Sequence, residues 1–189
     1  RFTDLADKWK VRTHVKAKIG SEYLTEVYQM VTNIEDLDIS SLPATFVVKG
    51  RHDTGSVVFV DDKAKEDWCT LRRRLARTLE SGLDPTSNEY WYADIPRGLI
   101  FEERLRDRKY NVPLDFKFYV FHGEVKFVQV IHDRQVRKTM RFYDRLWRPL
   151  SVWRPGQPMA PVIARPKQLD QMIEVAETLG ADFDFVRID

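Results

Sequence analysis

Apolar and polar positions alternate at two different periods along this chain. Val11, Val15 and Ile19 recur at helical spacing in DKWKVRTHVKAKIG, and Gly20 ends the run. A second helical stripe, Ala64, Trp68, Leu71, Leu75 and Leu79, runs through DKAKEDWCTLRRRLARTLESG, with Arg72, Arg73 and Arg74 largely off it. A third, Leu169, Met172, Ile173 and Ala176, opens after Pro166 and stops at Gly180. Between these stripes the period shortens to two. LPATFVVKG and SVVFV read as paired strands, LIFEERL as a short buried strand, and DFKFYVFHGEVKFVQVI as two strands about a His122-Gly123 turn. Alternation in that hairpin sends Phe116, Phe118 and Val120 one way and Asp115, Lys117 and Tyr119 the other. MRFYDRLW adds a strand and turn, and FDFVRID a last strand. The pattern predicts an α+β protein of two lobes, 1–97 and 98–189, with mainly antiparallel sheets. Residues 82–98, loop-like and holding two prolines, read as the hinge.

Composition narrows the classes. The chain has 189 residues, 43% hydrophobic and 32% charged, as an ordinary globule does. Thirty-one basic and 29 acidic residues leave a net charge of +2, so no global field draws it to nucleic acid or membrane. No apolar run approaches the ~20 residues of a membrane span. Cys69 is the single cysteine, which excludes an intrachain disulfide and fits a reducing, cytoplasmic setting. The four histidines have no zinc spacing, and no nucleophile-elbow motif is present.

Candidate chemistry starts where the strand FVVKG ends in a cation. Lys49 precedes GRHDTGS, a loop with successive backbone N–H groups, the Thr54 and Ser56 hydroxyls, and Gly55 for close approach. Such a concavity binds anions. It is not the phosphate loop with a lysine before a helix, and turn chemistry alone favours a solvated lysine beside a hairpin. Glu102 and Glu103 follow an apolar strand; facing opposite ways, they cannot both serve one site through side chains. Asp115 and Lys117 share a strand face, as a surface ion pair also would. Asp133, Arg134 and Arg141 stand among apolar strands, where converging arginines suit phosphate or carboxylate. Arg187 and Asp189 project to one face, and an Asp there suits Mg²⁺, which takes one or two carboxylates plus phosphate oxygens. Tyr143, Trp147 and Trp153 offer either a sugar-stacking surface or core packing.

The order of these pieces resembles the ATP-grasp superfamily, and more narrowly the TupA-like ATP-grasp family, linked to teichuronopeptide and related bacterial envelope polymers. The resemblance covers nearly the whole chain. It is carried by "DK.KVR..VK.KIG.EYL", "LP..FVVK..H..G", "W.Y..IPR..IFEE.L", "D.KFYVF.G..KFVQV..DR", "R.FYD..W" and "FVRID". It implies a nucleotide held between two α+β lobes. Lys8 and Lys49 resemble the phosphate-facing lysines, and 49–56, with His52, Thr54, Gly55 and Ser56, the loop that closes over the phosphates. Asp53 and Thr54 stand where many relatives show Gly-Ser. Glu102, Glu103 and Leu105 resemble the segment lining the adenine, Leu105 through its backbone. Asp115 and Lys117 resemble positions beside ribose and phosphates, Arg187 the group facing an acyl phosphate, and Asp189 a metal carboxylate. Arg134 and Arg141 are the candidate substrate-binding residues.

ATP and Mg²⁺ are the implied cofactors. A carboxylate and an amine, from sugar- or amino-acid-containing envelope precursors, are the implied substrates. Nucleic acid and stable membrane insertion are not expected. The resemblance also implies a further strand after "RID" with a second metal carboxylate, so the 189 residues alone are expected to bind Mg·ATP poorly and to be inactive. A polysaccharide kinase, a glycosyltransferase-like enzyme and a non-catalytic nucleotide-binding module are the alternatives.

Overall fold

The computed structural model describes residues 2–53, 55–82, 89–107, 109–110, 112–132, 138–152, 155–156 and 158–189. The chain divides into two compact units, 1–104 and 105–189. The sequence reading placed the division at 97/98. It falls later because the strand Leu99–Glu102 hydrogen-bonds within the first unit's sheet.

In the first unit, helices α1 (Phe2–Ala6) and α2 (Val11–Ile19) precede strand β1 (Val27–Val31), the hairpin β2 (Phe46–Gly50) and β3 (Val57–Val60), helix α3 (Trp68–Glu80) and strand β4 (Leu99–Glu102). The four strands lie in the order β1-β4-β2-β3, all antiparallel. β4 is buried along its whole length because it is central. Phe46, Val48, Val60, Leu99 and Phe101 line one face and pack with Leu71 and Leu75 of α3. The α3 stripe is thus the one expected from periodicity, although Ala64 falls in a separate 3-10 turn, Lys63–Lys65, ahead of the helix. Asp67 caps α3, its carboxylate accepting from the Thr70 N–H at 3.1 Å. The expected N-terminal helix is interrupted. The Asp7 carboxylate accepts from the Trp9 and Lys10 N–H groups at 2.9 and 3.3 Å, so Asp7–Lys10 forms a turn between α1 and α2. Strand β1 was not expected from the sequence.

The second unit holds β5 (Asp115–Phe121), β6 (Glu124–His132), β7 (Thr139–Asp144), helix α4 (Leu169–Gly180) and β8 (Phe185–Ile188). The sheet order is β7-β6-β5-β8, again antiparallel. The β5–β6 turn has φ of 48° at His122 and 76° at Gly123, as a two-residue hairpin turn requires. Phe118, Val120, Val128 and Val130 pack under Leu169, Ile173 and Ala176 of α4. Gly180 allows that close approach: a Cβ there would lie 2.7 Å from Val120 Cγ1. Tyr143 and Trp147 belong to this core, their rings stacked at 4.2 Å and tilted by 6°, so core packing rather than sugar stacking describes both. Trp153 lies outside the described residues.

Candidate nucleotide site

The first cluster forms because β2 has two different faces. Val48 goes to the core, whereas Lys49 emerges on the opposite face beside Ile100 of β4. Two residues along β4, on that same face, sits Glu102, only 6% exposed. Lys49 Nζ donates to Glu102 Oε1. Glu102 Oε2 also accepts from the Thr25 hydroxyl at 3.1 Å and lies 3.9 Å from the Arg12 guanidinium. A carboxylate this buried needs such partners to remain charged.

The loop after Lys49 is closed by internal bonds. Gly50 N–H donates to Ser56 C=O at 3.0 Å, and Arg51 N–H to Gly98 C=O at 2.8 Å. Lys8 reaches in from the α1–α2 turn and donates to the Gly50 carbonyl at 2.7 Å and to the Asp53 carbonyl. Burial pushes the Lys8 amine below its ordinary value, an effect that the nearby Asp53 charge opposes. Asp53 Oδ1 accepts from Ser56 N–H at 3.2 Å. Beneath Lys8, Arg51 donates to both Asp7 oxygens at 2.8 and 2.6 Å, a buried bidentate pair. Burial favours protonation of Asp7, but the bonds from Arg51 and the Trp9 and Lys10 amides outweigh it and hold the carboxyl below its usual range.

Lys8 and Lys49 are therefore brought to the same loop. His52 is not directed outward. It is 7% exposed and its Nε2–H donates to the Thr78 carbonyl near the end of α3 at 3.1 Å, while its buried Nδ1 has no partner among the described residues. Gly55 is exposed, with nothing near the position of a Cβ, and Thr54 lies outside the described residues. Glu103 is exposed and donates its N–H to Glu26 C=O at 2.8 Å. Leu105 is exposed.

The second cluster is on the sheet face of β5 that turns away from α4. Lys117, buried, lies 3.3 Å from Asp115 and also donates to Asp189. Arg187 donates to both Asp189 oxygens, Nε at 2.6 Å and Nη2 at 3.0 Å. Burial opposes the guanidinium's charge, yet the Asp189 bonds win and raise its pKa above the ordinary arginine value. Tyr119, Phe127 and Phe142 continue that face as an aromatic wall, with Tyr119 and Phe127 stacked at 4.4 Å. Arg141 is not part of it. It pairs with Val130 on the core-facing side, and its Nε donates to Ala160 C=O at 2.6 Å. Asp133 and Arg134 lie outside the described residues.

Sequence reasoning missed four residues around these groups: Arg12, Thr25, Asp7 and Arg51. "DKWKVR" holds two of them, but nothing local shows that Asp7 meets a residue 44 positions away. The nearby arginine run is not a free basic surface: Arg72 donates to the Ile34 and Leu37 carbonyls at 3.3 and 3.4 Å. A cavity of about 400 Å³ lies elsewhere, on the α4 side of the second unit. Two pairs of its charged walls are already matched, Arg145 with Glu177 and Arg165 with Asp170.

Two antiparallel α+β units, one with paired lysines at a strand-and-loop and the other with a carboxylate set among cations, are the parts of an ATP-grasp protein. The family model described as TupA-like ATPgrasp matches residues 1–189, and the chain belongs to that family. No curated protein and no solved structure matches it. Membership makes the coarse function ATP-dependent and ligase-like, in a family that generally uses ATP and Mg²⁺.

The residues fit those groups in kind. Two ammonium groups, Lys49 at the mouth of the loop and Lys8 reaching it from the α1–α2 turn, suit phosphate oxygens. Among the described residues no three His, Cys, Asp or Glu side chains gather as a metal cage. Asp189 instead offers a single carboxylate, the sort of ligand Mg²⁺ combines with phosphate oxygens. Among the described residues no helix is long and apolar enough to cross a membrane.

Proposed function

We propose that this chain serves an ATP- and Mg²⁺-dependent carboxylate–amine ligase, working through an acyl phosphate in the synthesis of a bacterial cell-surface polysaccharide or teichuronopeptide. The observation that carries the reading is the convergence of Lys8 and Lys49 on the 49–56 loop, one bonded to its carbonyls and the other paired to Glu102. Bound Mg²⁺ would neutralise phosphate charge and would be held by Asp189. The chain's own residues do the rest. Lys8 and Lys49 exchange their internal acceptors for phosphate oxygens. Lys117 and Arg187 hold Asp189 in place and present positive charge where the transferred phosphoryl group develops negative charge. Such transfer depends on positioning and charge neutralisation more than on a strong base.

The substrates in this reading are sugar- or amino-acid-containing envelope precursors, and the setting is the cytoplasm, where ATP is supplied. A single exposed thiol, Cys69, fits a reducing compartment. The test is Lys49→Ala in the full-length protein, with Mg·ATP binding by calorimetry and ADP release measured beside the wild type. Affinity should fall roughly tenfold or more, since a hydrogen bond to a charged group contributes about 1.5–3 kcal/mol. Unchanged affinity and turnover would sink the assignment. Product analysis separates a ligase, which yields ADP and an amide, from a kinase, which leaves phosphate on the acceptor.

A further inference from the structure

Asp53 is an anion inside a loop that two lysines approach. Its carboxylate folds back over the Gly50 backbone: a Cβ on Gly50 would lie 2.7 Å from Oδ2 and 2.8 Å from Oδ1. The missing side chain at Gly50 is what makes room for it. The carboxylate takes the Ser56 N–H at 3.2 Å. Three amides around it are bonded to backbone, Gly50 to Ser56 C=O, Arg51 to Gly98 C=O and Val57 to Gly55 C=O. Ser56 differs in that its acceptor is a side chain, which can swing away by rotation without unfolding the loop. Lys8 completes the enclosure by bonding the carbonyls of Gly50 and of Asp53 itself. A carboxylate that holds a loop N–H, with an ammonium group near enough to feel its charge, occupies the place an oxyanion would take.

We propose that Asp53 is a resident stand-in for phosphate: its carboxylate closes the ligand-free 50–56 loop and must leave Ser56 before a phosphate group can bind. This rests on the reading of that loop as phosphate-covering, and adds that the site is self-inhibited. A binding-competent loop that is only fractionally populated lowers apparent affinity by that fraction. Like-charge repulsion between Asp53 and the incoming group acts in the same direction. An Asn would hold the Ser56 N–H equally well in a mere turn, so the negative charge distinguishes the two roles.

The experiment titrates inorganic pyrophosphate and, separately, Mg·ADP into wild type, Asp53→Asn and Asp53→Ala at fixed ionic strength, by calorimetry. Amide exchange at Ser56 is followed in the ligand-free proteins. Asp53→Ala should bind pyrophosphate roughly tenfold more tightly than wild type. Asp53→Asn, which loses the charge and keeps the acceptor, should fall between them. Ser56 exchange should speed up in Asp53→Ala alone. Any other order of pyrophosphate affinity, including no binding by all three, overturns the proposal. Tightened pyrophosphate binding without ADP binding by any of the three supports the role of Asp53 and counts against the nucleotide reading.

Discussion

Lys49 and Glu102 are diagonal neighbours on the face of the first sheet opposite its hydrophobic core, and they form an ion pair there. Val47 lies directly across from Glu102 and Ile100 across from Lys49, so the pair bridges β2 and β4. The lysine that would meet phosphate is thus held ready by an anion from the next strand, and removing either partner has a consequence of its own. Lys49→Met should strand much of the Glu102 charge and lower stability by about 1–3 kcal/mol. Adding Glu102→Gln should recover part of that loss, because a neutral amide keeps the Thr25 bond without a charge to bury. Urea unfolding of the wild type, both single variants and the double variant checks this; no recovery in the double variant would show the pair to be uncoupled.

The Asp7–Arg51 pair joins the N-terminal turn to the start of the loop, with Asp7 1% exposed and Arg51 7%. Asp7→Ala leaves the guanidinium buried and unmatched, and should cost about 3–5 kcal/mol in urea unfolding.

The same pair sets a pH dependence. The folded Asp7 carboxyl titrates below its ordinary range, so the unfolded chain binds its proton first as pH falls. Its stabilisation is complete above the unfolded value of about 3.9 and is lost as pH drops through the lower folded value. Asp7→Asn should flatten the stability profile in that acidic window and leave its slope near neutrality unchanged, as read from urea midpoints across pH.

Gly180 ends α4 against Val120 of β5. Gly180→Ala should destabilise by about 1–3 kcal/mol through overpacking, even though alanine is the better helix former. Val120→Ala in the same chain should relieve the clash, giving a positive coupling in a double-mutant cycle. Additive losses would place the strain elsewhere.

Asp189 holds Arg187 bidentately and also takes Lys117, while Lys117 keeps Asp115 at 3.3 Å. Asp189→Asn should therefore remove the Mg²⁺-dependent part of ADP binding and change stability by no more than about 0.5–1 kcal/mol. ADP titrations with and without Mg²⁺, beside a thermal melt, separate the two effects.

Much of this fold was legible in the chain. The stripes of α3 and α4 and the alternation of β5 and β6 each bury a continuous face, so periodicity alone marked them. β1 was not legible: VYQMV is short, holds Gln29, and becomes a strand by pairing with Leu99–Glu102. The site was legible in part. Lys49, Glu102 and Asp189 stood out because a charge at the end of an apolar strand is conspicuous. The sequence did not say that His52 turns to Thr78, or that Arg141 faces the core side and bonds Ala160.

By itself, then, the sequence determined element types, the two antiparallel sheets' main strands and the residues able to carry phosphate or metal chemistry, since these follow from local period and residue type. Tertiary structure decided which charge met which. Lys8 reaches Gly50 and Asp53, Lys49 reaches Glu102, and Lys117 reaches Asp189, over separations of 42, 45, 53 and 72 residues. The Lys49 and Lys117 pairings depend on strand order and register, and shifting a register by one residue would turn either side chain to the opposite face.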